Sequence, residues 1–156
     1  MIIEGTTATF DIAIQDDELT METYMGNFKV KCFLHPLEII RADRIYRELI
    51  GPINSMMAGD TAQNYAFAIS QLSVRLIDYP DFFKNPNAPD LLGSHMPEKV
   101  LIGVLNNSID AETEFRAQQK KTFENTQKRL LAKYKQKKIK KQVSEEETSE
   151  DEESDE

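Results

Sequence analysis

Charge is distributed along this chain in three blocks, and these blocks limit how much of it can form a folded core. Residues 1–115 carry 8 basic and 17 acidic side chains, and residues 116–141 carry 11 basic and one acidic. Residues 142–156 carry 9 acids, no base and a single apolar side chain. That last block cannot bury enough surface to offset the entropy of ordering it, so we predict a disordered acidic tail. The globular domain is therefore expected within residues 1–115.

The basic block 116–141 is predicted to form a helical arm. It contains no glycine or proline and is rich in Lys, Gln, Arg, Ala and Leu, which favour helices. Its apolar residues are too sparse for a coiled-coil seam. One interpretation is that its bases contact an acidic partner or nucleic acid phosphates, and the candidate residues are Lys120, Lys121, Lys128, Arg129 and Lys133. The alternative is a solvated helix that maintains solubility. Nucleic acid is the less favoured partner, because few aromatics are available to stack on bases.

The first third of the domain has an extended pattern. Alternation of apolar and polar residues over TTATFDIAI and FKVKCFL predicts two antiparallel strands. Their apolar faces consist of Phe10, Ile12, Ile14, Phe28, Val30, Cys32 and Leu34. QDDELT and Gly26-Asn27 are interpreted as turns, with METYM between them as a candidate third strand. Such a small sheet needs helices to cover its apolar face.

Helical periodicity follows. The first helix is expected from Pro36 to Ile50, because proline suits the first turn and Gly51-Pro52 supplies the stop. We expect it to bury Ile39, Ala42, Tyr46 and Leu49, and to carry the ion pairs Asp43–Arg47 and Arg44–Glu48. The second is expected over residues 61–78, with Asp60 as N-cap and Gln63 completing a capping box. Its apolar residues occupy two faces, with Phe67 and Val74 on the second, which indicates a central position.

A third helix is expected to start between Ser94 and Pro97. Its inward face consists of Val100, Leu101, Val104 and Leu105. Whether this helix continues into the basic arm is left open. The fold class that results is α+β: a small N-terminal antiparallel β-hairpin or sheet packed on a three-helix core, followed by a long charged C-terminal helix and a disordered acidic tail.

Large apolar residues also lie in the otherwise polar loop DFFKNPNAPDLLGSH. They are Phe82, Phe83, Leu91 and Leu92. Aromatic residues in a polar loop can anchor a partner protein. They can equally fold back to fill the core, and the sequence leaves both interpretations open.

No arrangement of residues in the sequence indicates catalysis. His35 and His95 stand near prolines without acidic or cysteine neighbours at ligand spacing, and Cys32 is predicted to face inward. Phosphate loops, dinucleotide fingerprints, zinc helices and calcium loops are absent from the sequence. We therefore expect a protein that is not an enzyme and needs no cofactor or metal.

The expected location is a reducing cytoplasm. The start MIIEGTTATF lacks the basic segment and apolar run of a signal peptide, and no run approaches the roughly 20 apolar residues of a membrane span. The single cysteine cannot form an internal disulfide.

The order of segments resembles a known family. GNFKVKCFLHPLEIIRADRIYRELIG resembles a module of small phage proteins, in which an extended segment leads into a helix that closes with Leu-Ile-Gly. NYAFAISQLSVRLIDYPDFF and the later EKVLIGVLNNSIDAETEFR resemble the tail assembly chaperones of long-tailed bacteriophages. These pair an apolar helix ending in a Pro-aromatic element with a helix that leads into a charged C-terminus. The resemblance covers about residues 26–118.

The resemblance implies a non-catalytic function in the host cytoplasm. Members of this family bind the long, aggregation-prone tape measure protein during tail assembly and are absent from the finished particle. The partner is therefore expected to be a tape measure protein or another tail protein, with no membrane partner and with self-association left open. A structural or scaffolding protein of the phage head or tail is the first alternative, and it would be present in purified particles. A nucleic-acid-binding regulator that uses the basic arm is the second, and its binding would weaken steeply with salt.

Overall fold

The computed structural model describes the backbone of residues 1–16, 20–51 and 59–150, and the side chains of these residues as far as residue 137. The elements follow in the order β1 (Ile2–Glu4), β2 (Thr7–Gln15), β3 (Thr23–Lys31), α1 (Pro36–Ile50), α2 (Asp60–Arg75), β4 (Leu76–Asp78), a 3₁₀ turn (Asp81–Phe83) and α3 (Glu98–Glu150). A four-stranded antiparallel sheet with helices confirms the predicted α+β class. Parts of the predicted turns, residues 17–19 and Pro52, lie outside the described residues.

The sheet has strand order β1-β2-β3-β4, and every neighbouring pair is antiparallel. Strands β2 and β3 form its centre, and their register sets Phe10 opposite Phe28 with the rings stacked at 5.9 Å. Alternation places Phe10, Ile12 and Ile14 of β2 on the same face as Phe28 and Val30 of β3, and all are buried except Ile14, which is half-buried. The predicted alternation is thus confirmed within β2 and β3, but the predicted end of the second strand is wrong: β3 ends at Lys31, and Cys32 and Leu34, both buried, follow it. The edge strands β1 and β4 were not predicted as strands, and each has three residues.

The predicted turn at Gly26-Asn27 is wrong, because both residues lie inside β3 and continue its pairing with β2. The part of METYM from Thr23 onward belongs to the same strand. Asn27 pairs with Asp11, and its Nδ2 donates to Asp11 Oδ1 at 2.9 Å. Gly26 is present because Pro80 packs against it: a Cβ on Gly26 would lie 2.2 Å from Pro80 Cγ. A strand glycine here marks a close approach and not a turn.

Helix α2 is shorter than predicted and is capped differently. It ends at Arg75, and the next three residues pair with β3 as β4, so the predicted extension to residue 78 is wrong. Tyr79 precedes a proline, and a residue in that position disfavours the helical conformation. The predicted N-cap is also wrong: Gly59 occupies that position, without a side-chain hydrogen bond, and Asp60 is the first helical residue.

Helix α3 runs without a break from Glu98 to Glu150, so the third predicted helix continues into the basic arm. The backbone is also helical over residues 142–150, where disorder was predicted, and residues 151–156 lie outside the described residues. From residue 104 onward the sequence has no glycine or proline, and Glu is a good helix former, so nothing in its composition stops the helix. By contacts the chain divides into two compact units, Met1–Phe115 and Arg116–Glu156.

The core of the first unit lies between the sheet and the helices α2 and α3. Its largest fully buried side chains include Phe28, Leu72, Phe83 and Leu101. The predicted inward face of α3 is confirmed, since Val100, Leu101, Val104 and Leu105 are all buried. Among the described residues, no helix is both long enough and apolar enough to cross a bilayer.

A candidate protein-binding surface

Helix α1 begins with a side-chain cap that fixes its direction after β3. His35 is the N-cap, and its backbone N–H donates to Glu38 Oε2 at 2.8 Å. The Glu38 carboxylate also accepts a hydrogen bond from Lys31 Nζ at the end of β3. These bonds, with the Lys31 contact first, lower the pKa of Glu38 below its usual value. The role of His35 is therefore structural, and the predicted bounds of α1 are confirmed.

Helix α1 buries very little of its apolar surface. Only Ala42 and Ile45 are buried, in a small cluster with Leu34 and Val74 that is separate from the main core. The predicted buried stripe is wrong at two of its four positions, because Ile39 is 55% exposed and Leu49 is 36% exposed. Tyr46 is half-buried. Helix α2 packs against α1, yet Leu37, Ile39 and Ile40 of α1 stay more than half exposed.

A groove of about 330 Å³ lies between α1 and α2. Ile39, Ala42, Asp43 and Tyr46 line it from α1, and Phe67, Ser70 and Gln71 line it from α2. Ile39 stands at one wall, and Phe67, 47% exposed, stands at the other. Ser70 is fully buried at the base, and its hydroxyl donates to the Phe67 carbonyl at 2.8 Å, so its polarity is satisfied inside the helix. We call these seven residues the α1–α2 groove.

The outer face of α1 adds to this apolar surface. Leu37 and Ile40 are 69% and 64% exposed and lie three residues apart, which places them on one side of the helix. Arg41 and Arg44 share that side and are also exposed. The predicted ion pairs are confirmed: Arg47 Nη2 lies 2.8 Å from Asp43 Oδ2, and Arg44 Nε lies 3.9 Å from Glu48 Oε1. Both pairs are exposed, and such pairs contribute little to stability.

The exposure of Leu37, Ile40 and Phe67 is the feature of this candidate surface that the sequence analysis did not predict. Apolar residues occupy too many positions of α1 for one stripe: besides the predicted four, Leu37, Ile40, Ile45 and Ile50 are also apolar. A helix with an ordinary buried stripe carries about three to four apolar residues per two turns. This excess of apolar residues indicates that α1 has a second apolar side in addition to the buried one.

The loop residues predicted as partner anchors are part of the core. Phe83 and Leu92 are buried, and Phe82 and Leu91 are half-buried. The Phe83 ring meets the Phe28 ring edge-on at 5.2 Å, and a Cβ on Gly93 would lie 2.5 Å from it. His95 Nε2 lies 2.9 Å from the Phe82 carbonyl oxygen and holds the loop closed. The core-filling interpretation of this loop is thus confirmed, and the loop offers little surface to a partner.

The basic candidates of the arm are all exposed on helix α3 in the second unit. They are Lys120, Lys121, Lys128, Arg129 and Lys133. Rotation by about 100° per residue distributes them around the helix, so they form no single basic face. The apolar residues of the same segment, Phe123, Leu130, Leu131 and Tyr134, are each more than 60% exposed.

A buried polar pair connects the end of α2 to α3. Arg75 Nη1 lies 2.7 Å from Glu112 Oε2, and both side chains are largely buried. Cys32 is buried nearby, and burial, together with the negative charge of Glu112, raises its pKa. A thiol with a raised pKa is a poor nucleophile, which agrees with its interpretation as a small core residue. Among the described residues, no group of three His, Cys, Asp or Glu side chains could hold a metal ion.

Comparisons of the chain with protein family models, with curated proteins and with solved structures found no match.

Proposed function

We propose that this protein is a non-catalytic chaperone that binds an apolar helix of a client protein on α1 and the α1–α2 groove. The client class that best fits is the tape measure protein of a long-tailed bacteriophage, as the resemblance over residues 26–118 implies. The observation that carries the proposal is the exposure of α1: two of its residues are buried, whereas Leu37, Ile39 and Ile40 are each more than half exposed. Exposed apolar surface of this kind marks sites of protein interaction.

The groove suits a helix better than an extended peptide. Its walls are two helices, and Ile39 and Phe67 stand on opposite sides of a space of about 330 Å³. An amphipathic helix presents large apolar side chains at positions i, i+3, i+4 and i+7, which enter such a groove as anchors. Burial of one large apolar side chain contributes about 1.5–3 kcal/mol. Because association costs at least about 4 kcal/mol, several anchors are needed, and the outer face of α1 extends the surface for them.

This mode of binding gives a holdase without any cofactor. A protein that binds only the exposed apolar state of a client lowers its free concentration by mass action. The arginines of α1 that flank Leu37 and Ile40 keep the free surface hydrated, which limits association of empty copies through it.

Co-expression with the apolar helical segments of the tape measure protein from the same phage tests the proposal. Wild-type protein is expected to keep the client in the soluble fraction. The double variant Ile39→Ser, Phe67→Ser is expected to weaken binding by about 30-fold, which corresponds to about 2 kcal/mol from two side chains that are already half exposed. The readouts are client solubility and Kd by calorimetry with a soluble client fragment.

The matched control is the double variant Ile77→Ser, Ile109→Ser. These residues are 45% and 41% exposed, against 55% and 47% for Ile39 and Phe67, and lie outside the groove, so the control removes a comparable but smaller apolar surface elsewhere. The control is expected to bind like wild type. An equal loss of affinity in both double variants would show that the groove is not the binding site. A client that stays insoluble with wild-type protein in excess would contradict the chaperone function itself.

A further inference from the structure

We propose that the part of helix α3 in the second unit carries a docking surface for an acidic amphipathic helix of a partner protein. Its centre is a stripe of exposed apolar side chains with one glutamine among them, and lysines border this stripe on both sides. We call these residues the α3 stripe: Phe123, Gln127, Leu130, Leu131 and Tyr134. The inference is independent of the α1–α2 groove and of its client, because the groove belongs to the first unit and the stripe to the second.

Helical spacing places the five residues of the α3 stripe on one side of the helix. From Phe123 the steps are four residues to Gln127, three to Leu130 and four to Tyr134, and Leu131 also lies four residues after Gln127. The apolar members are 61–71% exposed. All of them except Phe123 line, together with the glutamine, an open concave surface of about 500 Å³. Exposed apolar surface of this extent marks a site of interaction.

Lysines border the α3 stripe on both sides. On one side, Lys133 and Lys137 each follow a residue of the stripe at a spacing of three. On the other side, Lys128 and Lys135 lie three residues before and four residues after Leu131. All four lysines are exposed. The surface that complements this one is an apolar stripe with carboxylates on both sides, which an acidic amphipathic helix provides.

A second copy of this segment is a poor occupant because of its charge. Residues 116–137 carry 8 bases and one acid, Glu124. Two such helices packed through their stripes would set lysines beside lysines in either direction, and like charges placed against each other oppose association. A helix with Asp or Glu beside its apolar residues forms ion pairs on both flanks instead.

The position of Gln127 favours a protein partner over a membrane surface. Its side chain is exposed and lies within the stripe, between Phe123 and Leu130 along the helix. An amide that is buried in hydrocarbon without a hydrogen bond is costly, whereas a polar side chain on a facing helix can pair with it. One polar residue within an apolar seam also fixes the register of paired helices.

Isothermal titration calorimetry of the full chain with a synthetic peptide gives the first test. The probe is a helical peptide of about 18 residues, with Leu at spacings of three and four and Glu on both sides of the Leu stripe. We expect a Kd on the order of 100 µM or tighter at about 50 mM NaCl. It is expected to rise at least about fivefold at about 500 mM NaCl, because salt screens exposed ion pairs. A Kd above about 1 mM at the lower salt overturns the proposal.

Two control peptides separate the apolar contribution from the charged one. The first replaces each Leu by Gln and keeps every Glu, and the second keeps each Leu and replaces every Glu by Lys. Each is expected to bind at least about tenfold more weakly than the probe. Equal binding of the first control would show that charge alone holds the peptide, and this would overturn the docking surface. Tighter binding to phosphatidylserine vesicles or to duplex DNA than to the probe would overturn the protein partner.

Substitutions in the full chain test whether the probe binds at the α3 stripe. The double variant Leu130→Gln, Tyr134→Gln removes two apolar members, and Gln is a good helix former. It is expected to bind the probe at least about tenfold more weakly than wild type. The matched control is Gln118→Ala, Gln136→Ala, because rotation by about 100° per residue places these exposed side chains on the opposite side of the helix. This control is expected to bind like wild type.

Circular dichroism of both double variants shows whether α3 stays helical. With the helix intact, undiminished binding by the stripe variant overturns the proposal. An equal loss of affinity in the stripe variant and in its control overturns it as well. Neither result bears on the client of the α1–α2 groove, which is measured with a different ligand and different variants.

Discussion

At the scale of single residues, Gly26 shows how a distant contact decides what a sequence position means. In the sequence it stands beside Asn27, and this pair is typical of a turn. In the structure it lies in the middle of β3, on the core face, where the Pro80 ring replaces a side chain. Pro80 lies 54 positions further along the chain, so no local sequence pattern could have revealed this contact.

The substitution Gly26→Ala is therefore expected to destabilise the domain by about 1–3 kcal/mol, the usual cost of inserting a methyl group into packed structure. The added Cβ would lie 2.2 Å from Pro80 Cγ, so the strand or the 79–80 segment must move. Urea denaturation measures the change. In the double variant with Pro80→Ala, the clashing Cγ is gone, so the two effects are expected to be less than additive. Strict additivity would show that Pro80 is not the cause.

At the scale of elements, α1 shows which parts of a helix can be predicted. Its bounds follow from local chemistry, since Pro36 fits the first turn and Gly51 ends the helix with a positive φ of 69°. Its buried face does not follow, because apolar residues occupy several faces and only the position of α2 decides that Ala42 and Ile45 are covered. The buried faces of the central strands could be predicted, since alternation gives each strand a single apolar face.

The start of α1 is expected to make stability depend on pH. Because the folded pKa of Glu38 is lowered, its charge stabilises the fold fully above the ordinary value of 4.5, and this contribution is lost as the pH falls through the lower folded value. Glu38→Gln keeps the capping geometry but removes the charge. Wild type is expected to be more stable than this variant at pH 7, by less than about 1 kcal/mol because the pair is partly exposed.

Urea denaturation of both proteins at pH 7 and at pH 3 measures this effect. The difference in unfolding free energy is expected to shrink at the lower pH. Arg44→Gln breaks an exposed ion pair of the same helix with another carboxylate, Glu48, and serves as the reference for the pH dependence that an exposed pair alone gives. A difference for Glu38→Gln that stays constant between the two pH values would contradict the role of the carboxylate.

At the scale of the whole molecule, the boundary between the acidic block 1–115 and the basic block 116–141 coincides with the boundary between the two compact units. Among the described side chains, every buried one lies at or before Ala111, in the unit Met1–Phe115. The fold class could be predicted because each central element carries its own periodic signal. The candidate site could not be predicted in this way. Whether an apolar surface stays exposed depends on how all the elements pack together, and no single segment of sequence contains that information.

A fragment of residues 1–119 is expected to fold alone, with an unfolding free energy within about 1 kcal/mol of the full chain, because it keeps every side chain described as buried and the half-buried Phe115. Urea denaturation followed by circular dichroism measures this, with the full chain as reference. A fragment that unfolds without a cooperative transition would show that residues 120–156 are part of the folding unit.

The two short edge strands leave part of the sheet margin without a strand neighbour. β1 pairs with Thr7, Ala8 and Thr9 of β2, so residues 10–15 of β2 have a described strand partner on the β3 side alone. Recognition by strand addition relies on backbone of this kind at a sheet edge. The architecture therefore allows an extended partner segment to pair at this margin, beside the helix binding proposed for α1.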